Sequence, residues 1–350
     1  MKKIEKFIIS EKETARTSLK LINDLAIPNI AVFVVNDQQQ LVGSLTDGDI
    51  RRGLLNGKTI DDSITSFMNT NSKCFVEGEN NFEKISRYKD AGIRFIPVLN
   101  KKKEIIKIVD LDKLRSIIPV DAVLMAGGKG ERLKPLTDTT PKPMLEIGGK
   151  PIIVRNIERL AGFGVNDFSI SVRHMADQIV EGVNAYKTEE LNIDFVKEEM
   201  PLGTIGSVRL IKDIKNDVIL LMNSDLLTNI DFHDFYKKFI DSKADMQVAT
   251  IPYHVDVPYA VMEIDQDDRV LSFSEKPRYT YYSNAGIYLF KKELIDLIPD
   301  GITFDATHFM EEVIKNNKKL ISYPILSYWL DIGRIEDFYK AQEDVKHINF

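Results

Sequence analysis

The chain is short of cysteine, tryptophan and histidine: its 350 residues hold one Cys, one Trp and five His. The single thiol, Cys74, excludes an intramolecular disulfide framework and suits a reducing cytoplasm. The His residues are scattered, without the spacing of a zinc site or a Ser-His-Asp arrangement. With 13 Pro and 19 Gly there is no collagen-like or Pro/Gly-rich disordered stretch. No run of 18 apolar residues is present, so nothing reads as a transmembrane helix. The opening MKKIEKFIISEKETARTSLK lacks the apolar core of a signal peptide. Positive charge is also in deficit: a net charge of −6 argues against a dedicated nucleic-acid binder. What is there is 43% hydrophobic and 29% charged, the balance of a soluble globular chain long enough for two domains. Residues 1–118 carry 20 Lys and Arg against 16 Asp and Glu, whereas residues 119–350 carry 27 against 37. The acidic part is where a divalent cation would help a polyanionic substrate bind.

Residues 1–118 repeat themselves weakly. Val34-Val35-Asn36 to Leu41-Val42-Gly43-Ser44-Leu45-Thr46-Asp47-Gly48-Asp49-Ile50 reads as strand, turn, strand and helix start. About 63 residues later comes Pro97-Val98-Leu99-Asn100 to Ile105-Ile106-Lys107-Ile108-Val109-Asp110-Leu111-Asp112 with the same pattern. Two β-α-β-β-α units of this size can bury each other's sheets. The tandem resembles a CBS-domain pair, which implies a regulatory or oligomerisation module, a homo-oligomer, and an adenine- or guanine-nucleotide ligand between the repeats. The family's ribose-phosphate signature, Thr followed three residues later by Asp, is matched by Thr46 and Asp49. In the second repeat Val109 stands for the Thr, while Asp112 remains. Asp49 also suits the cap of a helix beginning at Ile50.

From residue 119 the pattern changes. Asp121-Ala122-Val123-Leu124-Met125 is a short apolar strand followed by a Gly-rich loop. Periodicity predicts helices over 151–162 and 175–186 and strands over 167–172, 193–196 and 217–222, with a loop and helix before the last strand. A final helix is predicted over 336–345. Alternation of this length implies a Rossmann-like α/β unit with a mixed, mostly parallel sheet. Ligands gather at the carboxyl ends of such strands.

The loop reads Ala126-Gly127-Gly128-Lys129-Gly130-Glu131-Arg132-Leu133-Lys134-Pro135-Leu136-Thr137. Its glycines let backbone N–H groups approach phosphate oxygens. It is not a Walker A loop, and Leu133 spoils a dinucleotide fingerprint. Arg132 and the Lys142 of Thr140-Pro141-Lys142-Pro143-Met144 add the cations a triphosphate needs. The run AGGKGERLKPLT followed by PKPM resembles the signature of sugar-1-phosphate nucleotidyltransferases. Pro201-Leu202-Gly203-Thr204, Asn223-Ser224-Asp225, Glu275-Lys276-Pro277, Asn284-Ala285-Gly286 and Trp329-Leu330-Asp331-Ile332-Gly333 follow in that family's order.

The resemblance implies attack of a sugar 1-phosphate on the α-phosphorus of a nucleoside triphosphate, with pyrophosphate expelled. The nucleophile is already an anion, so alignment and charge neutralisation suffice. Arg132 resembles the arginine that grips the triphosphate, Lys142 the lysine that neutralises the reacting phosphates, and Lys276 the one that holds the sugar phosphate. Ala126, Gly127, Gly128 and Gly130 would cradle the nucleotide. Asp225 and Asp331, both at strand ends, would hold Mg²⁺. Glu275 and Asn284 resemble sugar-hydroxyl binders, and Gly286 would let the sugar lie against the backbone. Ala260 stands where the family often has glycine, which reshapes the expected sugar pocket.

Gly203 resembles the backbone contact to base or ribose. Glu198 stands where thymidylyl- and uridylyl-transferring relatives often carry Gln. An ionised carboxylate only accepts hydrogen bonds, and guanine offers it the adjacent N1–H and N2–H₂ donors. The expected nucleotide is therefore GTP, with UTP, CTP and dTTP as rivals. The two-part organisation resembles enzymes that supply activated sugars for bacterial surface glycans, including glucosamine 1-phosphate guanylyltransferases of nonulosonic (legionaminic) acid pathways. Glucosamine 1-phosphate is the first expected acceptor, then mannose 1-phosphate and a heptose 1-phosphate. A nucleotide-sensing protein on the same fold is the non-enzymatic alternative; retention of Arg132, Lys142, Asp225 and Asp331 argues against it. Only 17 residues follow Gly333, with no hexapeptide repeat of the kind bifunctional relatives carry.

Overall fold

Contacts along the chain divide it into Met1–Ile117 and Ile118–Phe350, one residue before the expected boundary. The computed structural model describes residues 4–27, 30–77, 82–112 and 114–348.

In the first unit the weak repeat becomes a structural duplication. β1 (Ile8–Ser10), α1 (Ala15–Leu25), β2 (Ala31–Val35), β3 (Leu41–Thr46) and α2 (Asp47–Leu55) are followed by β4 (Phe75–Val76), α3 (Phe82–Asp90), β5 (Phe95–Leu99) and β6 (Ile105–Asp110). Each repeat pairs its first strand parallel to its second and its second antiparallel to its third. Each has a bulge late in the middle strand, at Val34/Val35 and Val98/Leu99. Phe7, Ile30, Phe33 and Phe95, with Ile105 and Ile108 packed against them, join the two repeats in one apolar cluster.

Two expectations need correction. Thr46 pairs with Ala31 at one end of its hairpin, and Asp110 pairs with Phe95 at the same end of the other. The structural counterpart of Thr46 is therefore Asp110, not Val109. Among the described residues no helix follows β6 as α2 follows β3: the chain enters a turn at Leu111-Asp112. There Asp110 pairs with Arg94 and accepts the N–H of Asp112.

The second unit continues with β7 (Asp121–Met125), β8 (Glu146–Ile147), β9 (Lys150–Pro151), α4 (Ile152–Gly162), β10 (Asp167–Val172), α5 (Ala176–Asn184), β11 (Asn192–Lys197), β12 (Val218–Asn223) and β13 (Leu226–Thr228). Then come α6 (Phe232–Asp241), β14 (Met246–Asp256), β15 (Val261–Ile264), β16 (Val270–Ser274), β17 (Arg278–Lys291), α7 (Ala306–Lys315), β18 (Leu320–Pro324), β19 (Trp329–Asp331) and α8 (Ile335–Asp344). The expected helix before β12 is only a 3₁₀ segment, Gly206–Leu210.

Seven strands form the central sheet in the order β11-β10-β7-β12-β17-β14-β18. It is mostly parallel, with β17 antiparallel to both neighbours. Val218-Ile219-Leu220-Leu221-Met222 is buried throughout, as a strand covered on both faces must be. Ile219 and Leu221 pack with Met246, Tyr288, Phe290, Phe309 and Val313. Phe232, Phe235 and Phe239 of α6 are likewise buried. Each such side chain contributes about 1.5–3 kcal/mol when fully removed from water. The carboxyl ends of β7, β10 and β12 thus sit on a rigid layer, and the Gly-rich loop leaves from it.

Candidate active site

Two expected metal carboxylates meet through strand register. β13 runs antiparallel to β19, pairing Leu226 with Asp331. Asp225 directly precedes Leu226, and its carbonyl accepts the N–H of Ile332 at 3.1 Å. Lys142 forms an ion pair with Asp225, and its Nζ lies 3.9 Å from Asp331 Oδ1. One oxygen of each carboxylate, Oδ1 of Asp225 and Oδ1 of Asp331, is buried without a hydrogen-bond partner. Burial, reinforced by Asp225, pushes the Asp331 carboxyl above its ordinary value, while Lys142 and Arg132 oppose that shift. Two orphaned carboxylate oxygens facing one lysine fit a hard divalent cation that takes few protein ligands and completes its shell with phosphate and water. No cluster of three or more His, Cys, Asp or Glu with metal-binding geometry occurs among the described residues.

The Gly-rich loop borders this corner. Gly130 adopts a left-handed φ of +66°, and a Cβ there would come within 3.0 Å of Lys142 Cβ and Thr137 Cγ2. Glycine is needed for Lys142 to reach the carboxylates. Beside Gly128 a Cβ would meet open space, which leaves the backbone N–H groups room for phosphate. Arg132 is exposed, and its Nη2 lies 3.6 Å from where a Cβ of Gly333 would stand, next to the Asp331 carboxylate.

Glu198 is buried at 6% exposure, immediately beside the loop. A Cβ on Gly127 would stand 3.1 Å from Glu198 Oε1. Ser171 donates its hydroxyl to that oxygen, and Leu202 N–H donates to Oε2 at 3.2 Å. The carboxylate is therefore oriented, with lone pairs left for further donors. Gly203, at φ +76°, packs against Phe304 and Asp305, and Asp305 Oδ1 accepts the N–H of Thr204 at 3.0 Å. The Pro-Leu-Gly-Thr loop is thereby tied to the start of α7.

The expected sugar residues lie elsewhere in the same unit. Glu275 and Lys276 are exposed on the turn between β16 and β17 and share no hydrogen bond or ion pair with the carboxylate corner among the described residues. Lys276 has a φ of +44°, unusual for a residue with a side chain and more so before proline. Two of the expected residues already contact neighbouring protein groups. Asn284 has its side chain engaged within its own strand, donating to Tyr288 Oη and accepting from Gly286 N–H. A Cβ on Gly286 would come within 2.7 Å of Asn223 Nδ2, so the close packing of Asn223 requires glycine there.

In the first unit the helix begins at Asp47, not Ile50, and Thr46 is its N-cap. Asp49 is the third helical residue: one carboxylate oxygen accepts Thr46 N–H and Oγ1–H, and the other accepts from Arg52. Both members of the Thr/Asp signature are thus engaged in a reciprocal cap.

Sequence reasoning missed the residues that support the site. Asn156 of α4, 3% exposed, donates to the carbonyls of Ser224 and Leu226 on either side of Asp225. The Ser224 hydroxyl donates to Met125 C=O at 2.6 Å, joining the Asp225 turn to β7. An Asn on the apolar face of Ile-Ile-Val-Arg-Asn-Ile-Glu-Arg-Leu is the signal that marks Asn156. Trp329 Nε1–H donates to Ala285 C=O, which links β19 to β17.

Known proteins agree with this architecture. The chain is 31% identical to a mannose-1-phosphate guanylyltransferase of Mycobacterium tuberculosis over 65% of its length and 64% of that protein's. It is 36% identical to a mannose-1-phosphate guanyltransferase of Debaryomyces hansenii, covering 62% of each. It therefore spans less than two thirds of these relatives. The crystal structure of HddC from Yersinia pseudotuberculosis complexed with GMP-PN is similar at a TM-score of 0.51 and 31% identity, over 65% of this chain and 99% of that one. The sequence profile of CBS domains matches residues 2–56, the first repeat. The profile of nucleotidyl transferases matches residues 121–348, the whole of the seven-stranded unit with its loop and carboxylate corner, and the chain belongs to that family.

Proposed function

We propose that the chain is a Mg²⁺-dependent sugar-1-phosphate guanylyltransferase. The observation that carries the reading is the pair of orphaned carboxylate oxygens of Asp225 and Asp331 beside Lys142 and the Gly-rich loop. A phosphate oxygen of the sugar 1-phosphate attacks the α-phosphorus of the nucleotide. A new P–O bond forms as the α–β bridge breaks, pyrophosphate departs, and no proton need move. Arg132 and Lys142 neutralise the triphosphate, and backbone N–H groups of residues 126–130 orient it. When bound at the carboxylates, Mg²⁺ supplies Lewis-acid stabilisation of the phosphate oxygens.

Burial and orientation of Glu198 beside Gly127 support guanine as the base, as do relatives named as guanylyltransferases. Lys276 holds the sugar phosphate and Glu275 a sugar hydroxyl. For the acceptor, the two-part organisation favours glucosamine 1-phosphate, and the relatives' names favour mannose 1-phosphate. For the first unit the proposal is a regulatory module; a ribose contact by Asp49 requires its pairing with Arg52 to open.

The test is pyrophosphate release with Mg²⁺, crossing GTP, UTP, CTP, dTTP and ATP with glucosamine, mannose and heptose 1-phosphates. Turnover with GTP and one hexose 1-phosphate is expected. Turnover restricted to a pyrimidine nucleotide rejects the base assignment; folded protein that binds nucleotide yet releases no pyrophosphate rejects the enzyme.

A further inference from the structure

One cation at the carboxyl edge of the sheet has no role in the reading above. Arg173 directly follows β10, and the parallel register flanks it with two substrate-facing stretches. On one side Ala126 N–H donates to Ser171 C=O at 2.9 Å; on the other Glu198 N–H donates to Val172 C=O at 3.0 Å. A Cβ on Gly127 would stand 3.5 Å from Arg173 Cβ and 3.1 Å from Glu198 Oε1. Gly127, Arg173 and Glu198 therefore border one point. Arg173 Nε is buried without a hydrogen-bond partner among the described residues. A guanidinium keeps its charge at any relevant pH, and a sealed donor with no acceptor is destabilising. An acceptor carried by a bound nucleotide would satisfy it.

We infer that Arg173 is a specificity-determining residue that donates to the O6/N7 edge of the guanine whose N1–H and N2–H₂ donors Glu198 accepts. The inference rests on the guanine reading of Glu198 and extends it to the other half of the base. Guanine presents two adjacent acceptors, O6 and N7, which match the arginine fork. Its adjacent N1 and N2 donors match an acceptor-only carboxylate. Adenine keeps the N7 acceptor but sets an N6 amine in place of O6 before the guanidinium, and its N1 acceptor would face the carboxylate. A cation and an anion on neighbouring strand ends thus select one purine over the other without any change in size.

The test uses the full chain and an atom-by-atom series of nucleotides. kcat and KM are measured for GTP, 7-deaza-GTP (N7 replaced by C–H) and ITP (no N2 amine), with wild type, Arg173→Met and Arg173→Lys. Loss of N7 is expected to lower wild-type kcat/KM by about tenfold. Arg173→Met is expected to raise KM for GTP by about tenfold or more, leave kcat within about threefold, and abolish the 7-deaza penalty while preserving the ITP penalty. Arg173→Lys should restore part of both the affinity and the N7 dependence. Arg173→Met that keeps the full 7-deaza penalty overturns the inference. So does a loss that is equal for every nucleotide, which would mark a phosphate contact or a packing role. A wild type that prefers GTP yet ignores N7 rejects Arg173 alone, whereas one that prefers a pyrimidine nucleotide rejects the guanine reading with it.

Discussion

The carboxylate corner and the ribbon carrying Glu275 and Lys276 belong to the same unit and are built in opposite ways. The corner is half-buried, with Asp225 and Asp331 held by β13–β19 pairing, Lys142 between them and Asn156 clamping the turn. The ribbon, made of the outer halves of β14 and β17 with the β15–β16 hairpin, is exposed on both faces, with Tyr259, Leu271 and Phe273 among its open side chains. A two-stranded ribbon without a packed face is marginal on its own. The difference teaches where each task can reside. Charge neutralisation of a triphosphate needs groups fixed to within fractions of an ångström, so it sits on the rigid layer. The sugar contacts proposed for Glu275 and Lys276 fall on the looser ribbon.

The sharpest way to break this comparison is at the corner. Asp225→Asn and Asp331→Asn should each reduce kcat by on the order of 10³-fold, and chelation of divalent metal should reduce the wild type similarly. Pyrophosphate release measures both, with a thermal melt to show that the variants remain folded. A loss under about tenfold would mean that the two orphaned oxygens do not hold the cation.

On the ribbon, Lys276→Ala should raise KM for the sugar 1-phosphate and lower kcat/KM by about 10–100-fold, because one charge-assisted contact is lost. Nucleotide affinity, followed by calorimetry with a non-hydrolysable GTP analogue, should stay unchanged. Weakened nucleotide binding would place Lys276 with the corner and erase the distinction between the two regions.

The smallest effect is expected at the support. Asn156→Ala removes two donors from buried carbonyls and should cost about 1–3 kcal/mol of stability. For a unit of this size that shifts Tm by roughly 2–4 °C per kcal/mol. Metal affinity should fall modestly with it, since the Asp225 turn is no longer held. A drop in Tm without any change in metal dependence would reduce Asn156 to packing.

Much of the second unit was legible because its signals are local. The apolar run 217–222 and the helical periodicity of 151–162 depend on neighbours a few residues away, and the strand and helix lie at Val218–Asn223 and Ile152–Gly162. The repeat in the first unit was legible too, but its register was misjudged by one residue. The middle strands of both repeats are near-continuous apolar runs, which look alike after a one-residue slip; the hairpin pairings Ala31–Thr46 and Phe95–Asp110 decide the register. The role of Thr46 and Asp49 as a cap was half visible, since the same residue types serve caps and ribose sites. The hydrogen bond of Asn284 to Tyr288 and the close approach of Asn223 to Gly286 are not visible in the sequence, because both depend on strand geometry.

By itself the sequence determined several of the elements, the mostly parallel character of the sheet and the chemistry available: an acceptor-only carboxylate at Glu198, cations at Arg132 and Lys142, and acids after two apolar strands. Tertiary structure alone decided which of these meet. Asp225 and Asp331 converge because two three-residue strands distant in sequence pair antiparallel, and Gly127, Arg173 and Glu198 converge because three parallel strands end level with one another. Such meetings depend on backbone hydrogen bonds between segments far apart in the chain, and no property of either segment alone encodes its partner's register.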